Sequence, residues 1–386
     1  MSALAESESR PILLVTNDLG PRAGGIETFI LGLIEQLPRQ EIVVYTSSQP
    51  GDKEFDLELR QKFGVIVYRD RGKVLLPTPR VNRAVAKVMK RHKSATVWFG
   101  AAAPLAWMAP LLRRRGANRI ISLTHGHEVW WSKLFPFSLL MAHIGRSLDV
   151  VTYLGEFTKS AMRPALGEKV ELVQIAPGID IDHFTPGAKS ESLLKQLNLQ
   201  GARVLISVGR LVHRKGQDRL IEAMPEILKA VPNTVLVFIG QGPYKAELEK
   251  LVARHGVESS VRFIGRLTYP QLPEYIRLGD VFAMPSRSRF FGLEVEGLGI
   301  VYLEASACGL PVIAGNSGGA PDAVIEAVTG FAVDGNNVAA ISQAAITLLA
   351  DPALCSRMGS AGRAWIERDW DWKLWGARFN QLLKGN

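Results

Sequence analysis

Residues 11–37 read PILLVTNDLGPRAGGIETFILGLIEQL. A short apolar run at 11–16 predicts a buried strand, and a glycine-rich turn follows it. Apolar side chains then recur at helical spacing from Ile26 to Leu37, which predicts an amphipathic helix. A strand, a glycine turn and a helix in this order form the repeating unit of a parallel sheet that is covered by helices.

The same alternation recurs along the chain. In the first half, further apolar runs predict strands at 42–45, 65–68, 96–99, 120–123 and 150–153. The alternation then restarts, with strands predicted at 204–208, 234–239, 261–264, 281–284, 311–314 and 330–333. The turn-rich segment 177–187 lies between the two sets and predicts a linker. The sequence therefore predicts an α/β protein of two doubly wound, Rossmann-like domains that face each other, with ligand sites at the carboxyl ends of the strands.

The domain boundaries follow from this linker and from the C-terminus. We place the first domain at residues 1–183 and the second at 184–367. The final helix is predicted to carry four tryptophans, which is more aromatic surface than a terminal tail needs: Trp365, Trp370, Trp372 and Trp375. We therefore expect residues from about 368 to 386 to pack back across the junction onto the first domain.

The composition limits the class of protein. A chain of 386 residues suits two domains, and 47% hydrophobic with 22% charged residues is ordinary for a globular protein. Two cysteines are too few for a disulfide scaffold and fit a reducing cytosol. The N-terminus shows no signal peptide, and we expect no membrane-spanning segment. The net charge of +9 indicates an anionic partner, which is a nucleotide, a nucleic acid or an acidic membrane.

Between two glutamates, Glu296 and Glu304, lies the segment Gly297-Leu-Gly-Ile-Val301. Small residues there allow backbone N–H groups to approach a ligand and to open a helix against it. If the whole segment is helical, Glu304 lies about two turns beyond Glu296. Each carboxylate can accept two hydroxyl hydrogen bonds, which suits a sugar or a ribose. The alternative interpretation is a surface loop with two solvated acids.

Two cations, Arg210 and Lys215, follow the strand predicted at 204–208. Both can neutralise a pyrophosphate, Arg210 through its forked guanidinium and Lys215 as a point charge. Their position after a strand, beside Gly209 and Gly216, favours this functional interpretation. The alternative is a pair of solvated surface cations.

Two loops in the first half also follow predicted strands. Gly24 and Gly25 open the first helix, so their N–H groups can point at a phosphate or sugar oxygen, although a plain turn would also use glycines. His125 and His127 can contact a sugar or relay a proton from a loop, and the alternative is a structural role. No cluster of His, Cys or Asp completes a metal set with them, so no metal site is predicted.

A basic segment at 71–93 carries eight Lys or Arg residues and no acid. Residues 81–92 can form an amphipathic helix, and aromatic residues follow at Trp130, Trp131 and 134–137. Basic charge with aromatic side chains is typical of a membrane surface. The alternatives are a solvated helix face beside a core aromatic cluster, or nucleic acid, which no recognised motif supports. The cations proposed for the membrane are Arg83, Lys87, Lys90 and Arg91.

Together these motifs resemble the retaining nucleotide-sugar glycosyltransferases of the GT-B fold, in the large family four. The resemblance covers nearly the whole chain. Within the family, the segments 97–104, 124–129 and 295–301 resemble the actinobacterial enzymes that mannosylate phosphatidylinositol mannosides from GDP-mannose. One departure is that residues 287–295 lengthen a loop that is short in many members, which either shapes donor choice or fills space. The marks of the family are Gly24-Gly25, Gly209-Arg210, Lys215-Gly216, Gly265-Arg266, the Glu296/Glu304 pair and the tail 303–321.

The resemblance implies a GT-B architecture, with the domains facing across a deep cleft and the C-terminal helix crossing back. It implies that Glu304 grips the ribose of the donor and that Arg210 and Lys215 neutralise the pyrophosphate. His125 would contact the sugar from the first domain, and Gly24-Gly25 would back the phosphates. The base would be read by backbone groups near Gly265, Arg266 and Leu267. The sugar hydroxyls would be held by Glu296 with the backbone N–H groups of Gly297, Leu298, Gly299 and Ile300.

The resemblance also implies the reaction and its setting. The enzyme would move mannose from GDP-mannose to a phosphatidylinositol mannoside acceptor, forming an α-mannosyl linkage by a front-face mechanism that needs no metal or other cofactor. It would work in the cytoplasm, peripherally on the anionic inner face of the plasma membrane, with no nucleic-acid partner. Glu27, His127, Trp130 and Trp131 are candidate acceptor or membrane contacts. The alternatives are another nucleotide sugar or a polysaccharide acceptor, a GT-B epimerase, or a non-catalytic nucleotide-sugar-binding protein.

Overall fold

The computed structural model describes residues 10–22, 24–39 and 41–385. The chain divides into two compact units. The first comprises Met1–Gly178 with Trp372–Asn386, and the second comprises Ile179–Asp371. Residues 1–9, where the sequence predicts no signal peptide, lie outside the described residues.

The first unit is built on seven parallel strands: β1 (Ile12–Thr16), β2 (Ile42–Ser47), β3 (Ile66–Asp70), β4 (Thr96–Phe99), β5 (Arg119–Ser122), β6 (Val150–Tyr153) and β7 (Glu171–Gln174). They lie in the order β3-β2-β1-β4-β5-β6-β7. Every residue of β1, β2 and β6 is buried, because helices cover both faces of a parallel sheet. The helices are α1 (Gly25–Glu35), α2 (Asp52–Phe63), α3 (Pro79–Arg91), α4 (Ala109–Arg113), α5 (Glu128–Lys133), α6 (Phe137–Ser147) and α7 (Glu156–Leu166).

The second unit is built on six parallel strands: β8 (Arg203–Val208), β9 (Thr234–Ile239), β10 (Val261–Gly265), β11 (Val281–Met284), β12 (Val312–Gly315) and β13 (Gly330–Val333). They lie in the order β10-β9-β8-β11-β12-β13. The helices are α8 (Glu191–Gln196), α9 (Gln217–Ala230), α10 (Lys245–His255), α11 (Leu272–Ile276), α12 (Ile300–Ala307), α13 (Val338–Ala350) and α14 (Pro352–Asp369).

A last helix, α15 (Trp372–Lys384), belongs to the first unit and packs against α1 and β4. Its Trp372 ring lies 6.2 Å from that of Phe29, and an added Cβ at Gly32 would collide with it. The prediction of one helix with four tryptophans is wrong. Helix α14 ends at Asp369 and α15 begins at Trp372, so Trp365 belongs to α14 and to the second unit.

The predicted α/β fold is confirmed, with one strand missed. All six strands predicted in the second half are present, and the six predicted in the first half are joined by β7. Strand β7 lies at the sheet edge with polar residues at both of its ends, so its sequence lacks an apolar run. In the described part of the chain, no single helix is long and apolar enough to cross a membrane. One pair, α13 and α14, passes that test only when joined across a 99° bend.

Candidate functional site

Each unit has a point where the strand order reverses, between β1 and β4 and between β8 and β11. Loops leave the sheet in opposite directions there, which opens a crevice at the carboxyl edge where α/β proteins bind ligands. In the second unit, residues 209–216 follow β8 and residues 285–299 follow β11. Arg210, Lys215 and Glu296 therefore lie at the switch point of their sheet, and Glu304 lies in the helix that follows.

Glu296 is the centre of this site. Its Oε2 atom lies 2.5 Å from Nη1 of Arg214 and 2.9 Å from Nζ of Lys215. The carboxylate and the lysine are both buried. Although burial opposes ionisation, the Lys215 ammonium and the Arg214 guanidinium hold the pKa of the Glu296 carboxyl below its usual range. The structure thus brings together two predicted residues, and it adds Arg214.

The turn that carries these cations depends on a glycine. Residues His213–Lys215 form a single 3-10 turn, and Gly216 follows it with φ +76°. A Cβ atom at this position would lie 2.1 Å from the carbonyl oxygen of Pro285. Only glycine tolerates both the left-handed backbone and this contact. The turn can therefore lie directly against the end of β11.

Glu304 lies four residues inside α12 (Ile300–Ala307), whereas Glu296 precedes that helix. The expectation of two helical turns between them is wrong, because Gly299 adopts φ +80° and the helix begins only after it. Glu304 is buried, and within residues 10–22, 24–39 and 41–385 no group donates a hydrogen bond to its carboxylate. Burial without a partner raises the pKa of Glu304 to about 7.

The other predicted donor residues lie at the ends of neighbouring strands. The N–H of Gly240 donates to the carbonyl of Gly265 at 2.8 Å, and an added Cβ there would lie 2.0 Å from the carbonyl of Gly209. The loops after β8 and β10 therefore both lie against Gly240, which follows β9 between them. The side chains of Arg210 and Arg266 are exposed, and the described residues give Arg210 no ion-pair partner.

The lengthened loop at 287–295 forms a small hairpin. Backbone hydrogen bonds of 2.9 and 3.2 Å join Arg289 to Glu294 in an antiparallel bridge. At its tip, Phe290 and Phe291 adopt φ +50° and +55°, and both rings are exposed. A left-handed conformation at two consecutive aromatic residues is uncommon and stores strain.

Sequence reasoning missed two arginines of this site, Arg214 and Arg287. Arg214 adjoins Lys215 in a run of basic residues, so its position next to a candidate residue could have identified it. Arg287 is almost fully buried and pairs with Asp218. Nothing local in the sequence distinguishes it from a solvated arginine.

A second cluster of ionisable groups follows β1 in the first unit. Nε of Arg22 donates to Oε1 of Glu27 at 2.7 Å, and its Nη2 lies 3.4 Å from Oδ1 of Asp18. Glu27 is buried, and burial raises the pKa of Asp18 despite opposing charges nearby. Gly24 and Gly25 open α1 as predicted, so the first N–H groups of the helix point out of its N-terminus. Ala23 lies outside the described residues.

His125 and His127 lie beside this cluster, after β5. Nε2 of His125 lies 2.5 Å from the carbonyl oxygen of Gly100, which follows β4. A carbonyl only accepts, so Nε2 carries the proton and Nδ1 of the neutral ring is an acceptor. Burial lowers the pKa of His125. The two histidine rings stack at 6.2 Å, and the buried Glu128 accepts from the backbone N–H of His125 at 2.9 Å.

The basic helix predicted at 81–92 is α3, whose apolar face is buried. Trp130, Trp131 and Phe137 form an aromatic cluster with ring separations of 5.0–5.1 Å. Packing of α3 on α4 and of α4 on α6 links these elements within the first unit. The exposed cations of α3 are Arg80, which pairs with Asp70, and the four proposed for the membrane, Arg83, Lys87, Lys90 and Arg91. The exposed apolar side chains near the cluster include Trp107, Leu134, Phe135 and Leu139.

The described residues contain no group of three or more His, Cys, Asp or Glu side chains arranged to hold a metal ion. Both cysteines are free thiols, and burial raises the pKa of Cys308 to about 12 and of Cys355 to about 11.

Two family models match the chain. The model described as Glycosyltransferase Family 4 matches residues 23–183, and the model described as Glycosyl transferases group 1 matches residues 189–365. The two matches correspond to the two halves in which the strand-and-helix alternation repeats.

Full-length relatives agree with these models. The chain is 44% identical over 376 residues to the GDP-mannose-dependent alpha-(1-6)-phosphatidylinositol monomannoside mannosyltransferase of Mycolicibacterium smegmatis, covering 97% of this chain and 98% of the relative. It is 41% identical to the GDP-mannose-dependent monoacylated alpha-(1-6)-phosphatidylinositol monomannoside mannosyltransferase of Corynebacterium glutamicum, covering 98% and 99%.

The fold is also that of a solved structure, Anabaena Alr3699/HepE in complex with UDP. The TM-score is 0.81 at 20% identity, and the match covers 97% of this chain and 100% of that one. The chain therefore belongs to glycosyltransferase family four, and its two parallel sheets are those of the GT-B fold.

Proposed function

We propose that the protein transfers mannose from GDP-mannose to a phosphatidylinositol mannoside, forming an α-mannosyl linkage with retention of the anomeric configuration. The observation that carries the proposal is the buried contact of Lys215 and Arg214 with Glu296 at the switch point of the second unit. Support for the substrates comes from the full-length relatives, whose names give GDP-mannose as donor and a phosphatidylinositol mannoside as acceptor.

The nucleotide is bound by the second unit in this proposal. The ribose hydroxyls donate to Glu304, a buried carboxyl to which no described residue donates. The base is read by backbone groups of residues 265–267, which lie at the carboxyl end of β10. Arg210 is exposed and carries a charge that a pyrophosphate can reach.

The sugar and the leaving group are held by the Glu296 cluster. Glu296 accepts from the mannose hydroxyls, and the backbone N–H groups of residues 297–300 complete that contact. Lys215, with Arg210, stabilises the negative charge that develops on the leaving phosphate. The acceptor hydroxyl attacks on the same face, and the leaving phosphate takes its proton. Cationic side chains supply the charge neutralisation, and we propose that the reaction needs no metal.

The first unit contributes His125, Gly24 and Gly25 to the donor in this proposal. The neutral His125 ring presents Nδ1 as an acceptor for a sugar hydroxyl, because its Nε2 proton is donated to Gly100. Gly24 and Gly25 offer backbone N–H groups at a helix N-terminus, which favours phosphate oxygens. Glu27 and His127 are the proposed acceptor contacts.

We propose that the enzyme works in the cytoplasm, peripherally on the inner face of the plasma membrane. Exposed cations on α3 can meet anionic headgroups, while the apolar side chains near α6 can enter the interface. The cations are Arg83, Lys87, Lys90 and Arg91. The apolar side chains, in and around the aromatic cluster, are Phe135, Leu139, Trp130 and Trp131.

A radiolabelled transfer assay tests the proposal. The purified protein is given GDP-mannose, UDP-glucose or UDP-N-acetylglucosamine, each with a phosphatidylinositol mannoside or with a polysaccharide acceptor. We expect label to enter the lipid fraction from GDP-mannose alone, at a rate that a chelator leaves unchanged. Transfer from a uridine donor, or to the polysaccharide only, would contradict the substrates. Donor epimerisation, or donor binding without transfer, would contradict the reaction.

A further inference from the structure

We infer that Arg287 is a positioning residue, which holds the cationic turn His213–Lys215 against Glu296. The inference rests on the proposed function, because it explains how the cations assigned there are fixed in place. Arg287 begins the lengthened loop at 287–295, so it also gives part of that loop a role.

Arg287 makes an unusually complete set of contacts for a buried arginine. Its side chain is 3% exposed, and its guanidinium pairs with Asp218 through Nη1–Oδ1 at 2.9 Å and Nη2–Oδ2 at 2.7 Å. Nη2 also lies 2.8 Å from Nδ1 of His213. The backbone N–H of Arg287 donates to the carbonyl of Arg214 at 2.8 Å.

These contacts hold the cationic turn at three points. His213 is its first residue, Arg214 lies at its centre, and Asp218 lies just beyond it in the first turn of α9. Arg287 therefore contacts residues on both sides of Lys215 in the chain. The ring of Tyr244 adds a fourth support, since it lies 5.2 Å from the His213 ring and its hydroxyl donates to Asp218 at 3.3 Å.

The turn needs to be held in place because it carries two neighbouring cations. Arg214 and Lys215 both contact a single oxygen, Oε2 of Glu296. The two cations repel each other, and the carboxylates of Glu296 and Glu294, the latter 3.6 Å from Nε of Arg214, offset this repulsion at the side chains. Arg287 acts in addition on the backbone of the turn, through its hydrogen bond to the carbonyl of Arg214. A forked guanidinium fixes both the distance and the plane of its partner, whereas a lysine would fix the distance alone.

The geometry also decides the charge of His213. Nη2 of Arg287 lies 2.8 Å from Nδ1 and 3.1 Å from Nε2 of His213, and a guanidinium only donates, so one of these two ring nitrogens is an unprotonated acceptor. Partial burial and the neighbouring guanidinium lower the pKa of His213 accordingly. The side chain of Arg287 thus contacts one carboxylate, that of Asp218, and one neutral ring, that of His213.

Two readouts test the inference. The first is turnover, for which we expect Arg287→Ala to lower kcat on the order of 100-fold, as a displacement of about 1 Å can do, with a smaller change in GDP affinity. Arg287→Lys keeps the charge without the fork and should fall between this variant and the wild type. In a Lys215→Ala background, the Arg287→Ala substitution should add little further loss.

The second readout is independent of activity. Lys215 is buried, so its amine should react slowly with acetic anhydride, as followed by peptide mass spectrometry. Arg287→Ala should release the turn and raise the acylation rate of Lys215 severalfold. Arg113→Ala is the control, because Arg113 also pairs with an aspartate, Asp149, at 2.8 Å, but at the amino end of β6 in the first unit. It should leave both readouts unchanged.

The thermal stability of each variant is measured alongside. If Arg287→Ala does not fold, His213→Ala takes its place, because it removes one of the Arg287 contacts at an exposed side chain. The inference is overturned if the Arg287 variants keep wild-type turnover and slow acylation, or if their losses add in full to that of Lys215→Ala. A wild-type protein that transfers no mannose, together with fast Lys215 acylation in Arg287→Ala, would instead overturn the proposed function and leave the positioning role of Arg287 intact.

Discussion

Glu296 and Glu304 are both buried carboxyls, yet their surroundings shift their pKa values in opposite directions. Two cations outweigh the burial of Glu296, whereas burial acts alone on Glu304. Glu296 is therefore ionised in the free protein, while no group in the described part of the chain donates a hydrogen bond to Glu304. This contrast fits the two proposed roles, since one carboxylate orients a reacting sugar and the other awaits ribose hydroxyls.

The two proposed pyrophosphate cations differ in burial, and this predicts different effects of removing them. Arg210→Ala and Lys215→Ala should each lower kcat by about 10²- to 10³-fold, because each removes charge from the developing leaving group. Lys215→Ala should also cost about 1–3 kcal/mol of stability, since it removes a partner from the buried Glu296. Arg210 is exposed, so its loss should leave the melting temperature unchanged.

Steady-state kinetics and thermal denaturation check both variants, with the exposed Lys245→Ala as a control. Wild-type turnover in both Arg210→Ala and Lys215→Ala would remove the pyrophosphate assignment. Equal loss of stability in the two variants would contradict the difference in burial.

The raised pKa of Glu304 predicts that the protein releases a proton when it binds the nucleotide. Its folded pKa of about 7 lies above the usual value, so this group lowers the free energy of unfolding as pH rises from about 4.3 to about 7. Ribose hydroxyls favour the carboxylate, so GDP binding should release a proton and weaken by up to about tenfold per pH unit below pH 7. Calorimetry in two buffers of different ionisation enthalpy measures the released proton.

The control for this prediction is the other glutamate of the pair. Glu304→Gln should abolish the buffer dependence and weaken GDP binding, whereas Glu296→Gln should keep the buffer dependence. A Glu304→Gln variant with unchanged proton release and affinity would rule out the ribose contact.

At the scale of elements, apolar runs predicted the strands because burial on both faces needs continuous hydrophobicity. That signal fails for β7, an edge strand with polar ends. It fails again after Glu296, where the left-handed Gly299 delays the helix. The partner of Arg287 lies 69 residues away in the sequence, so its burial is a property of the fold and not of the local pattern.

The hairpin tip offers a prediction about strain. Phe291 has φ +55° and a fully exposed ring, so its side chain contributes no burial that would offset the strain. Phe291→Gly should relieve about 1–2 kcal/mol of left-handed strain and lose about 0.5–1 kcal/mol through chain entropy, a net gain of about 0.5–1 kcal/mol. Urea denaturation measures the change.

The matched control is Leu57→Gly, at an exposed position inside α2, where glycine should cost about 1 kcal/mol. Destabilisation of the same size by both substitutions would mean that the backbone at Phe291 is not left-handed in solution.

At the scale of the whole molecule, the net charge of +9 attracts any anionic surface, whichever side chains carry it. The membrane proposal is more specific, because it assigns the contact to α3 and to the aromatic residues near α6. A test must therefore separate the overall charge from its location.

Two variants with equal net charge make this separation. Replacing Arg83, Lys87, Lys90 and Arg91 of α3 with glutamine lowers the net charge from +9 to +5. The same change is made at exposed positions of the second unit by replacing Lys229, Lys245, Lys250 and Arg254. Headgroup attraction is worth about 1 kcal/mol for each cation near the surface, so the α3 variant should bind anionic vesicles at least about 100-fold more weakly than the wild type.

The second variant should keep most of its binding, because its cations lie outside the proposed contact. Sedimentation with vesicles of phosphatidylinositol and phosphatidylcholine, at one fixed ionic strength, measures both. Equal losses in the two variants would mean that only the overall charge acts, and no loss in either would assign the contact to the exposed apolar side chains Trp107, Phe135 and Leu139. Because the two variants have the same net charge, a difference between their vesicle binding depends only on where the cations lie. This difference decides whether α3 is the membrane contact.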